Sequence, residues 1–181
     1  MSHSIVRRAA AAALLPGDAF EVVEGAFSWR NGKFFLRDAR LARPAGEATG
    51  KALVEWPLVR LELHTTLPVP VYRPFFVGQP LEIVLRDFSE RKGAAVDVTL
   101  AGNFNLTDKH DWAYKGHGAA KNLDYKGVPV NSAECKLSLN HHELDFSDGT
   151  VVFNYSNYNL HKTFNGASEG TAKVGRIRYD A

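Results

Sequence analysis

Apolar and polar residues alternate with a period of two along most of this chain, and after Pro16 no stretch of ten or more residues keeps apolar residues at helical spacing. The clearest run is Leu58 to Leu63, where Val59, Leu61 and Leu63 share one face and Leu58, Arg60 and Glu62 the other. Leu81, Ile83 and Leu85 repeat the pattern against Glu82 and Arg86, as do Val96, Val98 and Leu100 against Asp97 and Thr99. Further on, Ala133, Cys135, Leu137 and Leu139 oppose Ser132, Glu134, Lys136 and Ser138, while Val151, Phe153 and Tyr155 oppose Asn154 and Ser156. One apolar and one wet face per strand is the mark of antiparallel sheets. The pattern predicts a mainly β protein built as an antiparallel meander.

Turn chemistry punctuates these runs. Asn31-Gly32 lies between Ala26–Arg30 and Lys33–Arg37 and predicts a two-residue hairpin, because both central residues of a type I′ turn need positive φ. By the same reasoning Asp148-Gly149 predicts a hairpin between His142–Phe146 and Thr150–Tyr155. Lys126-Gly127, Lys92-Gly93 and Asn140 are weaker turn markers. Residues 66–80 hold Pro68, Pro70, Pro74 and Pro80, which cannot donate to a ladder and so mark a connector or sheet edge. A soft boundary falls there within a single β-rich domain spanning 18–181. Three strand openings resemble one another, at Gly50, Gly118 and Gly170, but their unequal spacing excludes a solenoid of fixed period and suggests similar strands laid side by side.

At the N-terminus two arginines precede Ala9–Leu15, an apolar run too short and alanine-rich for a secretory core or a membrane span, which needs about 20 residues. A short amphipathic helix over 1–17, ended by Pro16-Gly17, is the expectation. The chain closes on a strand-like run, Gly170 to Tyr179, with no cap, which suggests a longer parent and an exposed strand edge open to pairing with further β-structure.

Composition narrows the function classes. The 181 residues are 45% hydrophobic and 23% charged, ordinary for a globular domain. Basic residues number 12 against 10 acidic over 1–91 and 10 against 10 over 92–181, so no basic half points to nucleic acid. A single cysteine, Cys135, excludes an intrachain disulfide, and its place in register with Leu137 and Leu139 reads as a small buried hydrophobe.

Candidate chemistry is sparse. His110, Asp111 and His117, with Asp108 nearby, are the best ligand types for a metal-dependent hydrolase, yet Gly102–Trp112 reads as a polar hairpin tip. His141 and His142, if on a strand, point to opposite faces and cannot grip one ion. Asp145 and Asp148 are carboxylates whose separation nothing fixes. No nucleophile elbow, phosphate loop or dinucleotide fingerprint occurs, so no catalytic residue, metal or cofactor is expected. Aromatic residues recur, with Trp112, Tyr114 and Tyr125 able either to line an interior or to form a platform for carbohydrate.

Several segments together resemble the AsmA-like family. Leu14 to Leu41 is similar to the family's opening: a helix, a strand, an aromatic-glycine hairpin, then a strand of the form Leu36-Arg-Asp-Ala-Arg-Leu41. Gly118 to Val130, Leu137 to Gly149 and Gly170 to Tyr179 look like its repeating strand-turn-strand units. The resemblance implies a cell-envelope protein of Gram-negative bacteria, with a periplasmic β-rich body associated with the inner membrane. It also implies a long curved sheet, open or half-barrel-like, whose apolar face shelters acyl chains during phospholipid movement or outer-membrane assembly. This chain departs from the family in lacking a spanning helix and in being much shorter than typical members, as a piece of a longer one would be.

The lipid-facing candidates are then the apolar strand positions: Val59, Leu61, Leu63, Leu81, Ile83, Leu85, Val96, Val98, Leu100, Leu137, Leu139, Val151 and Phe153. A phospholipid or other acyl-chain ligand is the expected partner. The competing expectation is a β-sandwich binding module for carbohydrate or protein, in which the same residues form a sealed core. Aromatics facing inward with the aliphatic residues would favour the trough, and aromatics facing solvent would favour the sandwich.

Overall fold

The computed structural model describes residues 21–78, 82, 85–154 and 169–180. Nine strands pair in chain order into one antiparallel sheet whose first and last strands do not meet, so the sheet is open. They are β1 (Val22–Arg30), β2 (Lys33–Arg43), β3 (Gly46–Glu55), β4 (Leu58–Thr65), β5 (Phe88–Asn105), β6 (Trp112–Tyr125), β7 (Val128–Asn140), β8 (Glu143–Asn154) and β9 (Glu169–Asp180). The expected mainly β meander is therefore the fold. The helix expected over 1–17 lies outside the described residues.

Local sequence explains the tight turns. Asn31 and Gly32 take φ of 51° and 73°, the left-handed pair a type I′ turn needs between β1 and β2. Lys126 and Gly127, at 50° and 80°, close β6 onto β7 in the same way. Two expected turns are instead bulges. Asp148-Gly149 sits inside β8, where the register with β7 shifts between Glu134 and Lys136, and Lys92-Gly93 sits inside β5 at the shift between Glu90 and Ala95. Positive φ at Asp148 (50°) and Gly93 (77°) lets β8 take in one extra residue and β5 three without reversing the chain.

A further expectation is corrected at Leu81–Leu85. Glu82, Leu85 and Arg86 are helical, so Leu85 sits half-buried in a helical segment before β5 and not on a strand; Leu81 and Ile83 lie outside the described residues. The proline-rich connector after β4 forms two short 3-10 helices, Val69–Val71 and Arg73–Phe76. It leaves and rejoins one sheet, because β4 and β5 pair directly from Leu58↔Asn105 to Thr65↔Val98. The similar strand openings at Gly50, Gly118 and Gly170 fall in β3, β6 and β9, so two strands separate each from the next.

Pairing register carries one apolar row from strand to strand. Phe34 pairs with Val54, Val54 with Val59, Val59 with Phe104 and Phe104 with Trp112. A parallel row runs Ala52, Leu61, Gly102, Tyr114, Leu139 and Leu144. On the other face the partners are polar: Arg40, Thr49, His64, Thr99, His117, Lys136 and Ser147. The deepest packing on the apolar face forms two clusters. Ala48, Leu67 and Val71 pack with Leu41, Leu63 and Tyr72 beneath the connector. Leu139 and Leu144 pack with Phe88, Leu100, Trp112, Tyr114, Leu137 and Phe146.

Candidate functional site

The apolar face is the candidate site, and its burial is uneven. Val59 and Leu139 are buried, whereas Leu61, Leu63, Val96, Val98, Leu100, Leu137 and Val151 are each half-buried. Phe153 pairs with Val130 in β8. Register thus brings the strand candidates onto one sheet. Leu63 packs under the connector, while Leu100, Leu137 and Leu139 share the second cluster.

What covers this face, among the described residues, is the connector. Its hold is polar as well as apolar: the Val69 amide donates to Glu90 Oε1 at 3.0 Å, the Arg73 guanidinium donates to the Phe88 carbonyl, and Tyr72 hydrogen-bonds Thr65. The contacts place it over β2–β5. Among the described residues there is no second sheet of the kind a sandwich requires, since all their strands belong to one.

Aromatic orientation bears on the choice between trough and platform. Trp112 and Tyr114 pack against Leu139 and Leu144, and Tyr125 lies 5.0 Å from the Phe88 ring. They face inward with the aliphatic residues. Burial pushes the Tyr114 phenol up to about 12 and raises the Cys135 thiol, which leaves that thiol a poor nucleophile at neutral pH. The tyrosine shift has a sign that can be tested. Between pH 10 and about 12 the unfolded chain gives up the Tyr114 proton while the folded chain keeps it, so stability falls as pH rises through that window. Urea midpoints measured across it should drop, and Tyr114→Phe should flatten the drop.

The polar face is laced with ion pairs. Arg40 Nε meets Glu47 Oε2 at 2.8 Å and its Nη1 meets Glu24 at 3.4 Å, and Lys51 pairs with Glu62 at 2.8 Å. His64 meets Asp97 at 3.1 Å. An open hollow of about 630 Å³ lies among Glu24, Arg40, Thr49, Lys51, Glu62, His64 and Thr99, with Leu63 and Leu100 also lining it. Arg40 and Lys51 in it are each already paired with carboxylates and solvated.

The hydrolase constellation is not assembled. His117 sits within β6 opposite Thr99 and Lys136, five strand residues and about 16 Å beyond Trp112. His110 is in the β5–β6 loop, where Asp111 accepts a hydrogen bond from Asn105 at 3.1 Å. His110 instead stacks on His141 with ring centroids 4.1 Å apart. His141 and His142 do not diverge as strand neighbours would. Asn140 Oδ1 accepts from the amides of His142 and Glu143 at 2.8 and 2.9 Å, bending the chain so that the two rings come within 5.1 Å. Burial, then the neighbouring His110 and His142, lower the His141 pKa. Among the described residues no group of three or more His, Cys, Asp or Glu is placed to hold a metal ion.

Sequence reasoning missed one surface. Trp29, Trp56 and Leu106 are exposed at 66%, 72% and 47%, and each stands at the end of a hairpin. Proximity to Asn31-Gly32 and Pro57 was the available signal. No helix among the described residues is long and apolar enough to cross a membrane. No family model, curated protein or solved structure matches this chain.

Proposed function

We propose that this chain is a non-enzymatic cell-envelope module that shelters the acyl chains of phospholipid on the apolar face of its open sheet, serving phospholipid movement or outer-membrane assembly. The observation that carries the reading is a continuous apolar face left largely without a second layer among the described residues, with Trp112 and Tyr114 turned toward it. Each methylene withdrawn from water there gains about 0.8 kcal/mol, so a stripe of Val, Leu and Phe suffices without exact polar chemistry. The AsmA-like motifs support the same assignment and the periplasmic, inner-membrane-associated location. Among the described residues β1 and β9 are the edge strands, whose outer hydrogen-bonding groups could pair with further β-structure and so lengthen the trough.

The test is direct. Lipid extracted from the purified protein is expected to contain phospholipid or fatty acid, and a fluorescent fatty acid should bind and be displaced by oleate. Leu61→Glu with Val98→Glu places two carboxylates on the face outside both packed clusters and should weaken that binding by about tenfold or more, because a charge cannot lie against a hydrocarbon chain. Absence of both co-purified lipid and probe binding would remove the proposal.

A further inference from the structure

The exposed apolar residues are not scattered. Of the five large apolar side chains that stand exposed among the described residues, Trp29, Trp56, Leu58 and Leu106 lie at one end of the sheet and Val77 lies on the connector. Chain order explains the gathering: in a meander the β1–β2, β3–β4 and β5–β6 turns all emerge at the same end. The Leu106 amide donates to the Pro57 carbonyl at 2.9 Å, tying the second and third of these tips together. Two strand spacings, about 10 Å, separate the β1–β2 tip from the β3–β4 tip, while that hydrogen bond sets Leu106 directly beside the Trp56-Pro57 turn.

From this arrangement we infer that the hairpin end of the sheet is a docking surface for a zwitterionic lipid bilayer, with Trp29, Trp56 and Leu106 seated at the headgroup boundary. Trp56, Leu58 and Leu106 gather around the Pro57–Leu106 hydrogen bond and Trp29 stands on the next tip, an uneven apolar rim that suits a fluid layer able to close around it. Tryptophan is the side chain whose amphipathic ring favours that boundary. Charge agrees with the choice of lipid. The β1–β2, β3–β4 and β5–β6 tips carry Arg30, Lys33 and Lys109 against Glu55, Asp108 and Asp111, and the β7–β8 turn at the same end adds Glu143 beside His141 and His142, a set with no excess of Lys or Arg to attract an anionic surface, and Lys33 is already paired with Glu55 at 2.8 Å. The inference goes beyond acyl-chain sheltering and stands without it, since a protein that bound no free fatty acid would still dock through these tips.

The experiment uses the full chain with vesicles of phosphatidylcholine and phosphatidylethanolamine. Co-sedimentation is expected, unchanged at high salt, and brominated acyl chains should quench Trp29 and Trp56 even in a Trp112→Phe protein, which removes the tryptophan that an acyl chain on the apolar face would reach. Trp29→Ser, Trp56→Ser and Leu106→Ser combined should lower vesicle binding by about tenfold or more, since membrane affinity follows buried apolar area. Val77→Ser, equally exposed but on the connector, should leave it unchanged. Because the substituted residues are exposed, urea midpoints of all variants should match the parent. No co-sedimentation, quenching confined to Trp112, or a combined variant that binds like the parent would each overturn the inference. So would a concentration-dependent dimer abolished by the same substitutions without vesicle binding, which would make the tips a contact between copies. Loss of fatty-acid binding in the Leu61→Glu, Val98→Glu protein with vesicle binding intact would separate the two proposals.

Discussion

Leu144→Ala is expected to destabilise the protein by about 2–5 kcal/mol, the range for truncating a buried leucine in a core that cannot collapse around the gap. Leu144 is the one described side chain that is large and fully buried, at 0% exposure, and it stands opposite Leu139 in the β7–β8 register. Around it gather Trp112, Tyr114, Leu137 and Phe146, residues of β6, β7 and β8. Strands flanking a hole are held at their separation by the hydrogen-bond ladder, so the void persists. Leu61→Ala, at a half-buried position outside both clusters, should cost clearly less. Urea denaturation of the two variants checks the ordering. Equal losses would mean that the packing is even along the face and that no stretch of it is open.

Gly116→Ala is expected to be nearly as damaging, for a different reason. A Cβ at Gly116 would run into the Thr99 carbonyl oxygen and stand 3.0 Å from Leu100 Cα, both backbone atoms of the paired strand. At Gly102 it would meet the Ala113 carbonyl oxygen and lie 2.7 Å from Tyr114 Cα. Backbone cannot step aside without breaking the β5–β6 ladder, so each substitution should cost about 3 kcal/mol, at the upper end of overpacking penalties. Gly118→Ala is the control, since its nearest neighbour is the Leu137 side chain at 3.2 Å, which can rotate away. Amide exchange at Thr99 and Ala101 should quicken in the Gly116 variant and stay slow in the Gly118 one. Similar midpoints for all three would show that the strands are not in this close approach.

Much of the architecture was legible because a half-covered sheet writes its faces into the chain as alternation. Val59, Leu61 and Leu63 announced β4, and Val96, Val98 and Leu100 announced the middle of β5. Misreadings arose where a local signal has two uses. Asn31-Gly32 and Asp148-Gly149 carry the same left-handed preference, yet one reverses the chain and the other bulges within β8. Positive φ specifies a backbone state, and only the length of ladder on either side decides whether the strand turns or continues. Leu81, Ile83 and Leu85 alternate over five residues, too few to distinguish an extended segment from the short helical one that holds Leu85. Apolar strand positions were readable as a set, but whether a second layer covers them is a long-range fact that no single strand encodes. The prongs at Trp29, Trp56 and Leu106 lie 27 and 50 residues apart in sequence and become neighbours only through the meander.

Because each of the nine described strands pairs with its neighbours in chain order, the sheet is modular in one dimension. Insertion or deletion of a whole hairpin would rewire no other pairing and would change the width spanned by about 10 Å, two strand spacings. Evolution could in this way tune reach in fixed increments while leaving each surviving rung as it was.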